Sequence, residues 1–165
     1  MLAACHERVE RMLALLARLQ QHLLAQGRDE PARQAARDVM RYFDLAAPLH
    51  HQDEELHVFP PLLAGPDAGL RSLVERLVRD HRAMEVTWPE ARRVLHEIAE
   101  SPVDDGTPLT EPQRAALDRF AGLYERHLAD EDRLAYPAAQ AVLTVNALRA
   151  MSEDMMQRRG VRAGS

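Results

Sequence analysis

The residues with the most chemistry run His50-His51-Gln52-Asp53-Glu54-Glu55-Leu56-His57-Val58-Phe59-Pro60. His50 and Glu54 are four residues apart, which on a helix stacks an imidazole over a carboxylate on one face. The stretch nearly repeats as His127-Leu128-Ala129-Asp130-Glu131-Asp132-Arg133-Leu134-Ala135-Tyr136-Pro137. Both copies read His-x-x-x-Glu, an acid, three residues, then aromatic-Pro. One His-x-x-x-Glu arises easily by chance. Two with the same tail are hard to explain as solvated helix faces.

Two more histidines fall on apolar stripes. His6 lies in step with Leu2, Val9, Leu13, Leu16, Leu19 and Leu23, and His81 with Leu70, Val74, Leu77, Met84, Trp88, Leu95 and Ile98. If these stripes face a common core, His6, His50, His81 and His127 meet Glu54 and Glu131 there. A buried, lone carboxylate is too costly to stay ionised. The six groups therefore need a shared proton network or cations, and two divalent or trivalent metal ions satisfy them all. Nitrogen and carboxylate ligands without thiolate suit iron or manganese, with zinc and copper less favoured. Six residues do not saturate two six-coordinate ions, so positions remain for a small exogenous ligand.

The elements that must position these groups are four helices. The first spans 2–26 and ends at Gly27. The second starts at Asp29-Glu30-Pro31, carries Val39, Phe43, Ala46, His50, Glu54, His57 and Pro61 on its stripe, and is expected to kink at Pro48. The third runs from Asp67 to about Glu100 and bends at Pro89. After a loop from Ser101 to Pro112, the fourth carries Leu117, Phe120, Tyr124, His127, Glu131, Leu134 and Ala138. A tail helix follows a Thr144 cap, from Val145 to Gln157, and the last residues fray. This pattern predicts an all-α, up-down-up-down four-helix bundle over 1–142, with a C-terminal helix and tail over 143–165.

Composition agrees. The chain has 165 residues, 46% hydrophobic and 28% charged, suiting one soluble domain. A net charge of −5 argues against nucleic acid as a partner. The single cysteine, Cys5, excludes an intramolecular disulfide and a Cys-based zinc site and reads as core filler. No signal pattern or membrane-length apolar run is present, so a cytoplasmic location without membrane contact is expected.

On the residues His50 to Pro60 and their echo at His127 to Pro137, the chain resembles the hemerythrin-like, or HHE cation-binding, domains. The order of helix-1 His, His-x-x-x-Glu, lone His and His-x-x-x-Glu is also similar to theirs. The resemblance implies a non-haem di-iron centre held by His6, His50, Glu54, His81, His127 and Glu131, with Glu54 and Glu131 bridging. The oxygen-carrying members have a second histidine four residues after the helix-3 histidine, where this chain has Glu85. They also end the helix-4 motif in His-x-x-x-x-Asp, where Glu131 and Asp132 stand together here. These departures favour sensing, storing or processing iron, dioxygen, peroxide or nitric oxide over simple oxygen carriage.

Around this set, Glu55 and Asp132 read as surface acids or as partners orienting a ligand imidazole. His51 reads as a surface group or a partner of the site. His57 either lines the site's mouth or packs at the core edge. Glu85 is a further candidate ligand. Tyr124 offers a phenol near the site or simply packs. Trp88, Phe59 and the tail methionines Met151, Met155 and Met156 read as packing, and His22 and His96 as solvated. Three functions follow: a module binding dioxygen or nitric oxide for sensing, storage or delivery; an enzyme acting on peroxide, nitric oxide or ferrous iron; or a helical interaction module docking through its tail helix.

Overall fold

The computed structural model describes residues 2–102 and 105–160, with the side chains of Leu2 and Ala3 outside the described set. The expected frayed end at 161–165, the loop residues Val103 and Asp104 and the place of Leu2 on its stripe therefore lie outside the described residues.

The first rod is α1 (Leu2–Gln26). The second is α2 (Glu30–Asp53), a π-helical turn π1 (Glu54–Val58) and α3 (Phe59–Ala64). The third is α4 (Ala68–Glu100). The fourth is α5 (Glu111–Gly122), α6 (Tyr124–Asp130), a second π turn π2 (Glu131–Ala135) and α7 (Tyr136–Val142). A last helix, α8 (Val145–Arg158), packs on α2. No strand is formed among the described residues, and the fold is the all-α bundle expected from the sequence.

Local chemistry sets the ends of the rods. Gly27 takes φ +74°, a left-handed conformation that lets α1 stop and the chain reverse within three residues. A side chain there would also crowd the Asp105 carbonyl, 3.2 Å from the Cβ position. Asp29 caps α2 through Ala32 N–H, and Thr110 and Gln113 form a capping box on α5. His22 is half-buried and pairs with Asp29 at 2.8 Å, so it is less solvated than its position off the stripe suggests. Pro48 and Pro89 lie inside helices that run unbroken past them.

The core divides at the level of the two π turns. One side is the large cluster of α1, α2, α4 and α5, centred on Phe43 packed edge-to-face on Phe120, with Trp88 and Tyr124 alongside. The other holds Val58, Phe59, Leu62, Val74, Leu77, Ala135 and Ala139. Each fully buried Leu or Phe contributes roughly 1.5–3 kcal/mol. Between the clusters lies a layer of buried polar groups.

Candidate metal centre

His6, His50, His81 and His127 are at most 2% exposed, and Glu54 and Glu131 are fully buried. They form two overlapping groups. His6, His50, Glu54 and Glu131 can each place one ligand atom within 4.8 Å of the others, and so can Glu54, His81, His127 and Glu131. Both carboxylates belong to both groups. Glu131 lies 3.2 Å from His6 and 3.0 Å from His127. Glu54 lies 3.4 Å from both His50 and His81. All six residues singled out from the sequence meet at one place.

The π turns explain the repeated tail. In each, the aromatic backbone N–H reaches five residues back, from Phe59 to Glu54 and from Tyr136 to Glu131. The proline that follows has no N–H to donate, so it begins the next α-helical segment at no cost in hydrogen bonds. Five residues are about one turn of π-helix, so the glutamate and the aromatic share a side. On an α-helix of 3.6 residues per turn they would stand about 140° apart. The extra residue also shifts the apolar register by one. Val58 and Leu62 are buried where His57 and Pro61 were expected, and Ala135 and Ala139 replace Leu134 and Ala138. Leu134 is 49% exposed.

Each copy of the repeat therefore grips a lone histidine from another rod. Glu55 holds His81 Nδ1 at 2.9 Å, and Phe59 stacks on the same ring. Asp132 holds His6 Nδ1 at 2.9 Å, and Tyr136 stacks on that ring. Of the two readings for Glu55 and Asp132, Glu55 takes the role of partner to an imidazole of the cage, and Asp132 fits both, exposed at the surface and bonded to His6. Asp80 adds a third such contact, 3.3 Å from His127 Nδ1, and is itself held by Arg76. Asp80 and Tyr136 were missed from the sequence. Asp80 carries no signal beyond adjacency to His81, whereas Tyr136 belongs to the aromatic-Pro tail whose recurrence was visible.

Other candidates fall away from the site. Glu85 is exposed, paired with Arg82 and outside both groups. His57 is half-buried and reaches Asp154 of α8 at 2.7 Å. His51 is buried and stacks on His81, ring centroids 4.1 Å apart, so it is a partner of the site and not a surface group. Tyr124, Phe59 and Trp88 pack in the core as expected, His96 is exposed, and Cys5 is half-buried and free.

Protons partly satisfy the cage without metal. Burial acts to lower His6, but close contact with the Glu131 and Glu54 carboxylates pushes it up to about 10. His81 is likewise raised, burial being outweighed by Glu54. Burial would raise Glu54, yet His50, His6 and His81 around it hold it well below the usual carboxylate range. With His6 protonated, its Nε2–H donates to the Tyr136 hydroxyl at 2.7 Å, and that hydroxyl donates to Glu54. His81 and His127 face each other Nε2 to Nε2 at 3.1 Å, which is tolerable only if a proton or another cation lies between them. Burial lowers His50 below its ordinary value, leaving that imidazole neutral.

This proton network is incomplete. Both nitrogens of His50, Glu54 Oε2 and both oxygens of Glu131 are buried without a hydrogen-bond partner. Such atoms normally cost about 1–3 kcal/mol each, more when charged. The glutamate residues and His50 belong to two overlapping nitrogen–oxygen ligand groups, and the donor set fits hard or borderline cations.

The chain is similar to an uncharacterized protein of Haemophilus influenzae, 29% identical over 163 residues, which cover 98% of this chain and 90% of the relative. The family model for the hemerythrin HHE cation binding domain matches residues 1–156, taking in both repeats, both lone histidines and most of α8. With nearly the whole chain matched and the His/Glu cage assembled at its centre, the protein belongs to the hemerythrin HHE cation-binding domain family.

Proposed function

We propose that His6, His50, Glu54, His81, His127 and Glu131 hold two non-haem iron ions, one in each overlapping group, with Glu54 and Glu131 shared between them. The bound pair serves to take up a small diatomic ligand, dioxygen or nitric oxide, for sensing, storage or delivery. The observation that carries this reading is the double membership of both buried glutamates. A single ion would leave half of the imidazoles without a cation. The outer carboxylates Glu55, Asp132 and Asp80 support it: each fixes a ring through Nδ1 and so turns Nε2 toward the centre. Iron supplies reversible redox chemistry and open coordination positions. The chain supplies orientation, burial and exclusion of bulk water.

One feature of the cage favours a second reading, an enzyme acting on peroxide. The Tyr136 hydroxyl touches both His6 and Glu54, which places a proton source inside a water-poor site. Burial and the Glu54 and Glu131 charges hold this phenol well above its ordinary value, so it stays a proton donor. The interaction-module reading draws less support, because Met151 and Met155 of α8 are buried against the rest of the chain.

The test is anaerobic reconstitution with ferrous iron, then titration with dioxygen, nitric oxide and peroxide under optical and Mössbauer observation. Two irons per chain and a stoichiometric spectral change with a diatomic ligand are expected. Multiple turnovers of peroxide would move the conclusion to the enzyme. A purified chain that neither contains nor takes up metal ends both.

A further inference from the structure

A pocket of about 150 Å³, open to solvent at one side, lies between α2, α4, α5 and α6. Its deep walls are Phe43, Ala47, Met84, Phe120 and Tyr124, all buried, and its mouth lies between exposed Pro48 and Glu85 beside half-buried Trp88. His51, 7% exposed, also lines the pocket, and its ring nitrogens are neither hydrogen-bonded nor sealed from solvent among the described residues. Behind His51 lie the site histidines: His81 is stacked on it at 4.1 Å, 14° from parallel, and His127 is 6.3 Å away edge-on. One layer of ring atoms thus separates the cavity from the His81–His127 half of the cage.

The other half is closed differently. There Tyr136 stacks on His6 and fills the space next to Glu54. A second surface cavity approaches from the α1–α6 side, but alongside Leu13, Ala121, Leu128 and Ala129 it carries Glu10, Glu125, Asp132 and Arg133, charges that hold water. An uncharged diatomic molecule partitions into the apolar space in preference to the charged one.

We propose that the cavity walled by Phe43, Met84 and Phe120 is the binding and access site for an uncharged diatomic gas, and that His51 is the inner wall past which the gas reaches the His81–His127 side of the cage. This rests on the metal-site reading for its destination, whereas gas binding in the cavity itself does not require metal. Its apolar walls leave room for a xenon atom.

The test has two arms. In the first, crystals of the metal-free protein are pressurised with xenon. One xenon site between Phe43, Met84 and Phe120 is expected, lost in Ala47→Leu, which fills the space. No xenon there overturns the proposal, whatever the protein does with iron. In the second, dioxygen and nitric oxide kinetics are followed by flash photolysis or stopped flow on the iron-loaded protein. Ala47→Leu is expected to slow association and dissociation of both gases together by about tenfold, with the equilibrium affinity and iron content unchanged. Ala121→Leu, which fills the charged cavity, is expected to leave both rates as they were. Unchanged rates in Ala47→Leu, or slowing in Ala121→Leu alone, overturn the route. Should Ala47→Leu fail to fold, Met84→Phe closes the same space from the facing wall. Failure to load iron in the unmodified chain sinks the di-iron reading and leaves the xenon arm standing.

Discussion

Asp53 immediately precedes Glu54 and is fully buried, yet it carries a carboxylate. Two arginines of the C-terminal helix region hold it: Arg158 Nη2 lies 2.5 Å from Oδ1, and Arg159 Nη2 lies 2.5 Å from Oδ2. Replacing both by alanine leaves a charge inside the protein with no counterion. Breaking a fully buried pair costs about 3–5 kcal/mol. Here the arginine side chains are 17% and 27% exposed, so solvent screens part of the interaction and brings the cost below that range, to about 2–3 kcal/mol. With a urea slope of about 2 kcal/mol/M for a chain of this size, the midpoint falls by about 1 M. The single tryptophan, Trp88, packed on Phe43 and Phe120, reports the transition by fluorescence. Adding Asp53→Asn to the double variant removes the stranded charge and restores part of the loss, so the combined variants are non-additive. A midpoint within about 0.2 M of the unmodified protein, or a further full loss on adding Asp53→Asn, refutes the claim that α8 is clamped at this point.

Loading iron at pH 8 releases about one proton from His6, raised to about 10, and a further contribution from raised His81, where an unperturbed imidazole would release almost none. A pH indicator in weakly buffered solution reads this directly, and no release contradicts it. The same shift stabilises the metal-free fold fully below about pH 6.5, and that contribution is lost as the pH rises toward 10, measurable as a falling urea midpoint. Glu55→Ala and Asp132→Ala each free one ligand imidazole to rotate, and ferrous affinity drops about tenfold to a hundredfold by competition with a chelator. Glu85→Gln leaves iron content and spectrum unchanged, because that side chain is exposed and pairs with Arg82.

The fold was legible because its signals are local. Caps at Asp29, Thr110 and Thr144, the stop at Gly27 and the three- and four-residue apolar steps marked most helix ends closely. The six cage residues were legible because each sits on an apolar stripe, where a polar group needs a reason. The part that was not legible lies just beyond each glutamate. A π turn leaves no periodic trace in five residues, so Leu134 and His57 were assigned inward on an α-helical rule that the chain breaks there. Asp80 acts through contacts with other rods, as do Tyr136, visible only as part of the repeated tail, and His51, legible only as one of two alternatives, and no spacing within one helix announces a partner across the bundle. His51 is the plainest case: its neighbours in sequence are polar, whereas its neighbours in space are His81 and an apolar cavity.

Anomalous diffraction at the iron edge, from crystals of the ferrous-loaded chain, tests the central claim most directly. The account predicts two peaks about 3.5–4 Å apart, one against His6 and His50, the other against His81 and His127, both touching Glu54 and Glu131. A single peak, or two that do not share those carboxylates, would contradict it.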